Sequence, residues 1–228
     1  MRSSNRPDSS CPTREASRVD RDFPPTPDEL DIRIPFDPDE FFVPDDATCE
    51  RYWDQRDMPE HIRNHSTNVA LIATAMARRA AEKNLIRGDA AVQAVRSSAL
   101  LHDLAKIYCI THGGHHSQLG AAWVMEHTGN PLLAQGVLHH VWWPFTVDPI
   151  RHFLPLAVLY ADKRVRHDEI VPLGVRFSDL FERYGKNDTA RDRIGQALAQ
   201  SQAIENCFNE HLKVDLNACT FDCGRLVD

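Results

Sequence analysis

Nine of the twelve histidines fall between His61 and His140, and imidazoles gathered in one stretch of chain are the first groups to consider for chemistry. His65 stands in a run where Ile62, Val69, Ile72, Met76 and Ala80 follow at steps of three and four, so it shares an inward helical face with apolar residues. His102 keeps the same company with Val92, Val95, Ala99 and Lys106. Asp103 lies about 100° further round a helix, so this pair reaches one centre only if the centre lies between their directions. Asp162 aligns with Val158 and Val165, an inward carboxylate that an apolar core holds only at a cost. For His65 alone, a core histidine bonded to a neighbouring carbonyl is the commoner arrangement. The set of buried imidazoles and carboxylates points instead to a metal ion, which would neutralise it and acidify water or polarise a substrate oxygen.

The elements that must carry these residues are helical. Asp57, Pro59 and Glu60 suit the capped, acidic first turn of a helix bearing His65. Gly88 and Asp89 read as a stop and a new cap, after which one helix runs through His102 to Lys106. The THGGHH stretch is a loop leading to a helix from about Ser117 to His127. Pro131 opens another that runs to the break at Pro144, and a fifth from about Pro155 carries Val158, Asp162 and Val165 on one face. Further helices are expected over Phe177 to Tyr184 and Thr189 to Leu212. No alternating strand pattern stands out, so the class is all-α. Residues 1–55, rich in Pro, Asp, Ser and Arg, read as an extended, partly disordered N-terminal arm, with Phe36, Phe41, Phe42 and Val43 as candidate anchors. Residues 56–228 read as the helical domain.

Composition narrows the function. With 42% apolar residues in 228, one substantial core is affordable. A balance of 26 basic against 33 acidic residues, net −7, argues against a non-specific grip on nucleic acid or anionic membrane. With no apolar leader and no span of about 20 apolar residues, the expected location is cytoplasmic. Six cysteines without a secretion signal read as reduced thiols. Cys207, Cys219 and Cys223 cluster, but they lack the paired spacing of a zinc ribbon.

The order His65, then His102 and Asp103 in LLHDLAK, then Asp162 in LYADKRV resembles the H...HD...D signature of HD-domain metal-dependent phosphohydrolases. The resemblance covers about residues 60–185. It implies an all-α HD-domain helical bundle in which those four residues bind a divalent metal. His116 in HSQLGAA is similar to the HxxxGA histidine of members that hold two metals, and His139 or His140 in VLHH stands where their next histidine falls. The resemblance then implies two ions bridged by Asp103, with iron or manganese favoured and Co, Ni, Zn or Mg compatible. Asp103 and Lys106, at the HDxxK position, are the expected catalytic residues. Lys106 is placed to take a phosphate oxygen, although a salt-bridging lysine reads equally well. Lys163, Arg164 and Arg166 are weaker candidates for binding phosphate and read first as a solvated cationic face.

Trp142 and Trp143 could wall a pocket and stack on a base, with core packing the commoner role. Cyclic-dinucleotide phosphodiesterases of the family carry HHExxDGxGYP where this chain has HHVWWPFTVD, which argues against that substrate. The likeness is closer to small bacterial HD hydrolases, among them symmetrical diadenosine tetraphosphate hydrolases. The expected substrate is therefore a small phosphorylated molecule, a nucleotide such as a dinucleoside polyphosphate, and the chain is a candidate homodimer. Two other functions share the pattern: an HD-type di-iron oxygenase, and a non-catalytic HD signalling or binding module.

Overall fold

A computed structural model of the chain describes residues 41–218, 220–222 and 224–227. The first forty residues with Phe36, and Cys219 and Cys223, lie outside the described residues. The described residues all belong to one unit, 33–228. It is mostly helical, as the 3.6-residue periodicity requires.

Asp45 caps the first helix, α1 (Asp46–Gln55), accepting from the Thr48 amide at 2.8 Å. This corrects the sequence reading, which placed these ten residues in the extended arm. Cys49 and Trp53, four residues apart, are buried on one face, and the Trp53 indole donates to the Leu100 carbonyl at 2.9 Å. Next come α2 (Glu60–Glu82) and α3 (Gly88–Leu101), packed on each other. The stripe Ala70, Ala73, Ala77 and Ala80 on α2 is wholly buried, and such small side chains allow a close approach.

The helix expected to run through His102 to Lys106 stops at Leu101. A turn follows, then a separate α4 (Lys106–His112). Two more helices are α5 (His116–Thr128), ended by Gly129 in the left-handed region at φ 62, and α6 (Pro131–His139). Asn130 caps α6 and Pro131 occupies its first turn. This helix ends five residues before Pro144. Gly136 lies where α6 meets Ser98 of α3 and a following helix, α7 (Phe153–Lys163). Every residue of α7 from Phe153 to Asp162 is buried, as befits a helix apolar on all sides. It packs on α2, α3 and α6.

Val165 is not on α7, contrary to the sequence reading. It begins a two-stranded antiparallel hairpin, β1 (Val165–Arg166) and β2 (Glu169–Ile170). α8 (Leu173–Tyr184) and α9 (Asp188–Leu212) then pack together, and a second small hairpin, β3 (Thr220–Asp222) with β4 (Arg225–Val227), lies against α2. These four short strands escaped the sequence reading because two or three residues cannot display an alternation.

Arg164 is not part of a solvated face. Its side chain is buried, and it donates to the Tyr160 hydroxyl at 2.6 Å, to the Val171 carbonyl at 2.8 Å and to the Leu216 carbonyl. It therefore fastens the chain after α9 to α7. Arg166 is half-exposed and pairs with Glu169 at 2.7 Å. Among the described residues no helix is long and apolar enough to cross a membrane.

Candidate metal centre

Six of the seven residues expected as ligands converge. His65 comes from the second turn of α2, His102 and Asp103 from the turn that follows α3, and His116 from the first turn of α5. His140 follows the last residue of α6, and Asp162 lies near the end of α7. His65, His102, Asp103, His140 and Asp162 are buried, and His116 is partly buried.

The seventh does not join them. His139 turns edge-on to Trp143 and Phe145, with ring centroids 5.2 and 5.8 Å away. Adjacent residues point about 100° apart, and packing against Trp143 and Phe145 takes the His139 ring away from the direction that His140 follows. Trp143 is core, 1% exposed, whereas Trp142 is 44% exposed.

Local structure orients the imidazoles. His102 and His140 each follow the last residue of a helix, where carbonyls lack intrahelical donors. Each ring's Nδ1 donates to the carbonyl three residues back, Ala99 and Val137, at 2.7 Å. The His65 Nδ1 donates to the carbonyl of His167 at 3.1 Å, in the turn between β1 and β2. With Nδ1 carrying the proton, all three present a bare Nε2 to the centre, as a histidine does when a second partner fixes its tautomer for a metal.

Those nitrogens then face oxygen atoms that also carry lone pairs. His65 Nε2 is 3.0 Å from Asp162 Oδ1, and His102 Nε2 is 3.3 Å from Asp103 Oδ2. His102 Nε2 and Asp103 Oδ1 are both buried without a hydrogen-bond partner. Acceptors directed at one another repel unless a proton or a metal cation lies between them. The His/Asp donor set fits a divalent ion, and two subsets have ligand atoms all within 4.8 Å of one another: His65, His102 and Asp162, and His102, Asp103 and His140.

Electrostatics agree. Burial pushes the Asp103 carboxyl up, but the facing His102 and Lys106 more than offset this and hold it well below the usual carboxylate range. Asp162 follows the same pattern, with burial opposed by Lys163 and His65. Burial pushes His140 down to about 3 and lowers His116. Both are therefore neutral, lone pair available, at physiological pH. Burial also pushes His102 down, yet the two carboxylates prevail and raise it. Lys106 Nζ lies 2.6 Å from Asp103 Oδ2 with its side chain 37% exposed, so the salt-bridging lysine is also partly open to solvent.

Two participants escaped the sequence reading. The His167 carbonyl had no signal, since a backbone acceptor is invisible in residue type. Lys163, read as a solvated cation, has Nζ 2.6 Å from Asp162 Oδ2; its place directly after an inward aspartate was the available clue. Among protein-family models, that of the HD domain matches residues 62–168, a span containing all six converging side chains. No curated protein and no solved structure matches the chain.

Proposed function

Residues 62–168 are an HD domain, and from that premise we propose that the chain is a two-metal phosphohydrolase that cleaves a phosphoester or phosphoanhydride of a small nucleotide. HD-domain proteins are mostly metal-dependent hydrolases, which supports the reaction class. The observation that carries the two-ion reading is the division of labour at Asp103. Its Oδ2 lies 3.3 Å from His102 Nε2 and 3.9 Å from His65 Nε2, and the latter is itself 3.0 Å from Asp162 Oδ1. Its Oδ1 lies 3.5 Å from His116 Nε2 and 3.6 Å from His140 Nε2. One carboxylate thus faces two donor sets: His65, His102 and Asp162 on one side, His116 and His140 on the other.

Mixed imidazole and carboxylate donors favour iron or manganese. When bound, such ions supply Lewis-acid stabilisation of phosphoryl oxygens and lower the pKa of an attacking water. The chain's own residues do the rest. The carbonyls of Ala99, Val137 and His167 hold three rings in the ligating tautomer. Lys106, partly open to solvent, can move its ammonium from Asp103 toward a substrate phosphate oxygen as charge builds there. Trp142, exposed two residues beyond His140, offers an aromatic face for a base.

The test is elemental analysis of protein purified without chelator, followed by reconstitution with Fe(II) or Mn(II). A panel of mononucleotides and dinucleoside polyphosphates is then assayed with and without oxygen. We expect two ions per chain and oxygen-independent release of phosphate or mononucleotide. Failure to bind metal after reconstitution, or turnover that consumes oxygen, overturns the proposal.

A further inference from the structure

Lys163 occupies a position that a phosphate-binding lysine would not need. Its side chain is 12% exposed, and Nζ lies 2.6 Å from Asp162 Oδ2 and 3.3 Å from the backbone carbonyl of His140. These acceptors belong to two different helix ends, α7 and α6, and to the two donor sets that face opposite oxygens of Asp103. With Oδ2 held by the ammonium, Asp162 has Oδ1 left to face His65 and His102, at 3.0 and 3.8 Å. The His140 carbonyl stands at a helix terminus, where carbonyls lack intrahelical donors and a lysine can supply one.

We infer that Lys163 is a positioning residue that braces the two halves of the metal site against each other, restricting Asp162 to one ligating oxygen and fixing the main chain that carries His140. The inference rests on the two-ion reading above. The two lysines of the site then divide their duties. Lys106, more exposed, is free to meet substrate, while Lys163 is committed within the protein. Without the brace, the α7 set still has His65, His102 and both aspartates. The other set, whose buried ligand His140 is followed by the exposed Val141 and Trp142, loses its anchor. The second ion should therefore suffer more than the first, by the roughly 10–100-fold in affinity that loss of a ligand-supporting group commonly brings.

The experiment is a Mn(II) titration of full-length wild type, Lys163→Met, Lys163→Gln and Lys163→Arg. Binding is read by equilibrium dialysis, and the spin-coupled dimanganese signal by electron paramagnetic resonance. Wild type should take two ions and give the coupled signal. Lys163→Met should keep the first ion within about threefold, weaken the second at least tenfold and show isolated-ion spectra. Lys163→Gln, able to donate to one acceptor, should fall between, and Lys163→Arg should restore the second ion. If Lys163→Met does not fold, the order of the Gln and Arg variants decides. Two ions bound equally well by wild type and all folded variants overturn the brace and leave the two-ion reading intact. Fewer than two ions in wild type overturn that reading, and the brace with it.

Discussion

Replacing Gly136 by alanine sets two physical effects of opposite sign against each other. Gly136 is inside α6, and in an exposed helix the change would stabilise by about 1 kcal/mol through propensity. Here an added Cβ would lie 2.2 Å from Ser98 Oγ and 2.6 Å from Leu154 Cδ2, far inside ordinary contact. Overpacking of this kind costs about 1–3 kcal/mol. The Ser98 hydroxyl would also leave the Leu133 carbonyl it reaches at 3.0 Å, and an unsatisfied buried hydroxyl costs about 1–3 kcal/mol more. The net expectation is a loss of about 3 kcal/mol, or a fall in Tm of roughly 6–12 °C for a protein of this size. Because α6 leads directly into His140, the displaced helix should also lower the number of metal ions retained. Thermal melts by circular dichroism, paired with elemental analysis, measure both. Ser98→Ala/Gly136→Ala should recover part of the loss, since removing Oγ leaves Ser98 Cβ at 3.3 Å as the nearest atom of that side chain. A Gly136→Ala variant as stable as wild type would refute the close approach and the reasoning built on it.

His102→Ala and Asp103→Ala should each abolish metal retention and turnover while far-UV circular dichroism keeps most of the helical signal; retained metal in either variant would refute the assignment. Chelation should lower Tm, and a divalent ion restored at 100 times its Kd should return about 2.7 kcal/mol, checked by a melt against metal concentration. Arg164→Met should cost about 3–5 kcal/mol in urea unfolding, because it takes the guanidinium from the Val171 and Leu216 carbonyls and from the nearby Glu205 carboxylate, which keeps only its bond from the Tyr160 hydroxyl at 2.6 Å. Arg96 grips Asp46 with three contacts of 2.6–3.0 Å and holds its carboxyl below the ordinary 3.8, partly opposed by burial. A depressed carboxylate stabilises the fold above its unfolded pKa and ceases to as the pH falls through its folded value. Asp46→Asn should therefore destabilise the fold modestly at pH 7, by no more than about 1 kcal/mol, with the difference from wild type shrinking only as the pH falls below 3.8.

The helical architecture was legible wherever apolar residues recur at three and four over several turns, as in α2 and α9. It was misread where tertiary structure overrides a continuing pattern. Leu101 to Ala105 contains neither Gly nor Pro, and Lys106 stays in phase with His102, so nothing in the residues announces the end of α3. α1 was hidden by the proline-rich stretch before it, although Asp45 and Thr48 at capping distance and Cys49 and Trp53 four apart were its signals. For His65, His102, Asp103 and Asp162 the site was readable because burial restricts what an inward imidazole or carboxylate can be, whereas His116 and the VLHH histidine came from the family resemblance alone. The choice between His139 and His140 was not readable, since it turns on packing against Trp143 and Phe145 from further along the chain. Arg164 looked solvated because its neighbours in KRVR are basic, and its acceptors at Leu216 and Tyr160 emerge only once α7 and the chain after α9 meet.

The smaller of the two hairpins among the described residues is also a control on ring orientation. Its turn, His167 in the left-handed region at φ 58 followed by Asp168, offers two successive carbonyls to α2, one to the His65 ring and one to the Asn68 amide at 2.7 Å. The backbone path of two surface residues therefore decides which nitrogen of His65 faces the centre. Exchanging the side chains of that turn should be tolerated as long as the path is kept. Grafting in a loop of different length would remove the acceptor and leave the imidazole free to flip, altering the centre without touching any residue in it.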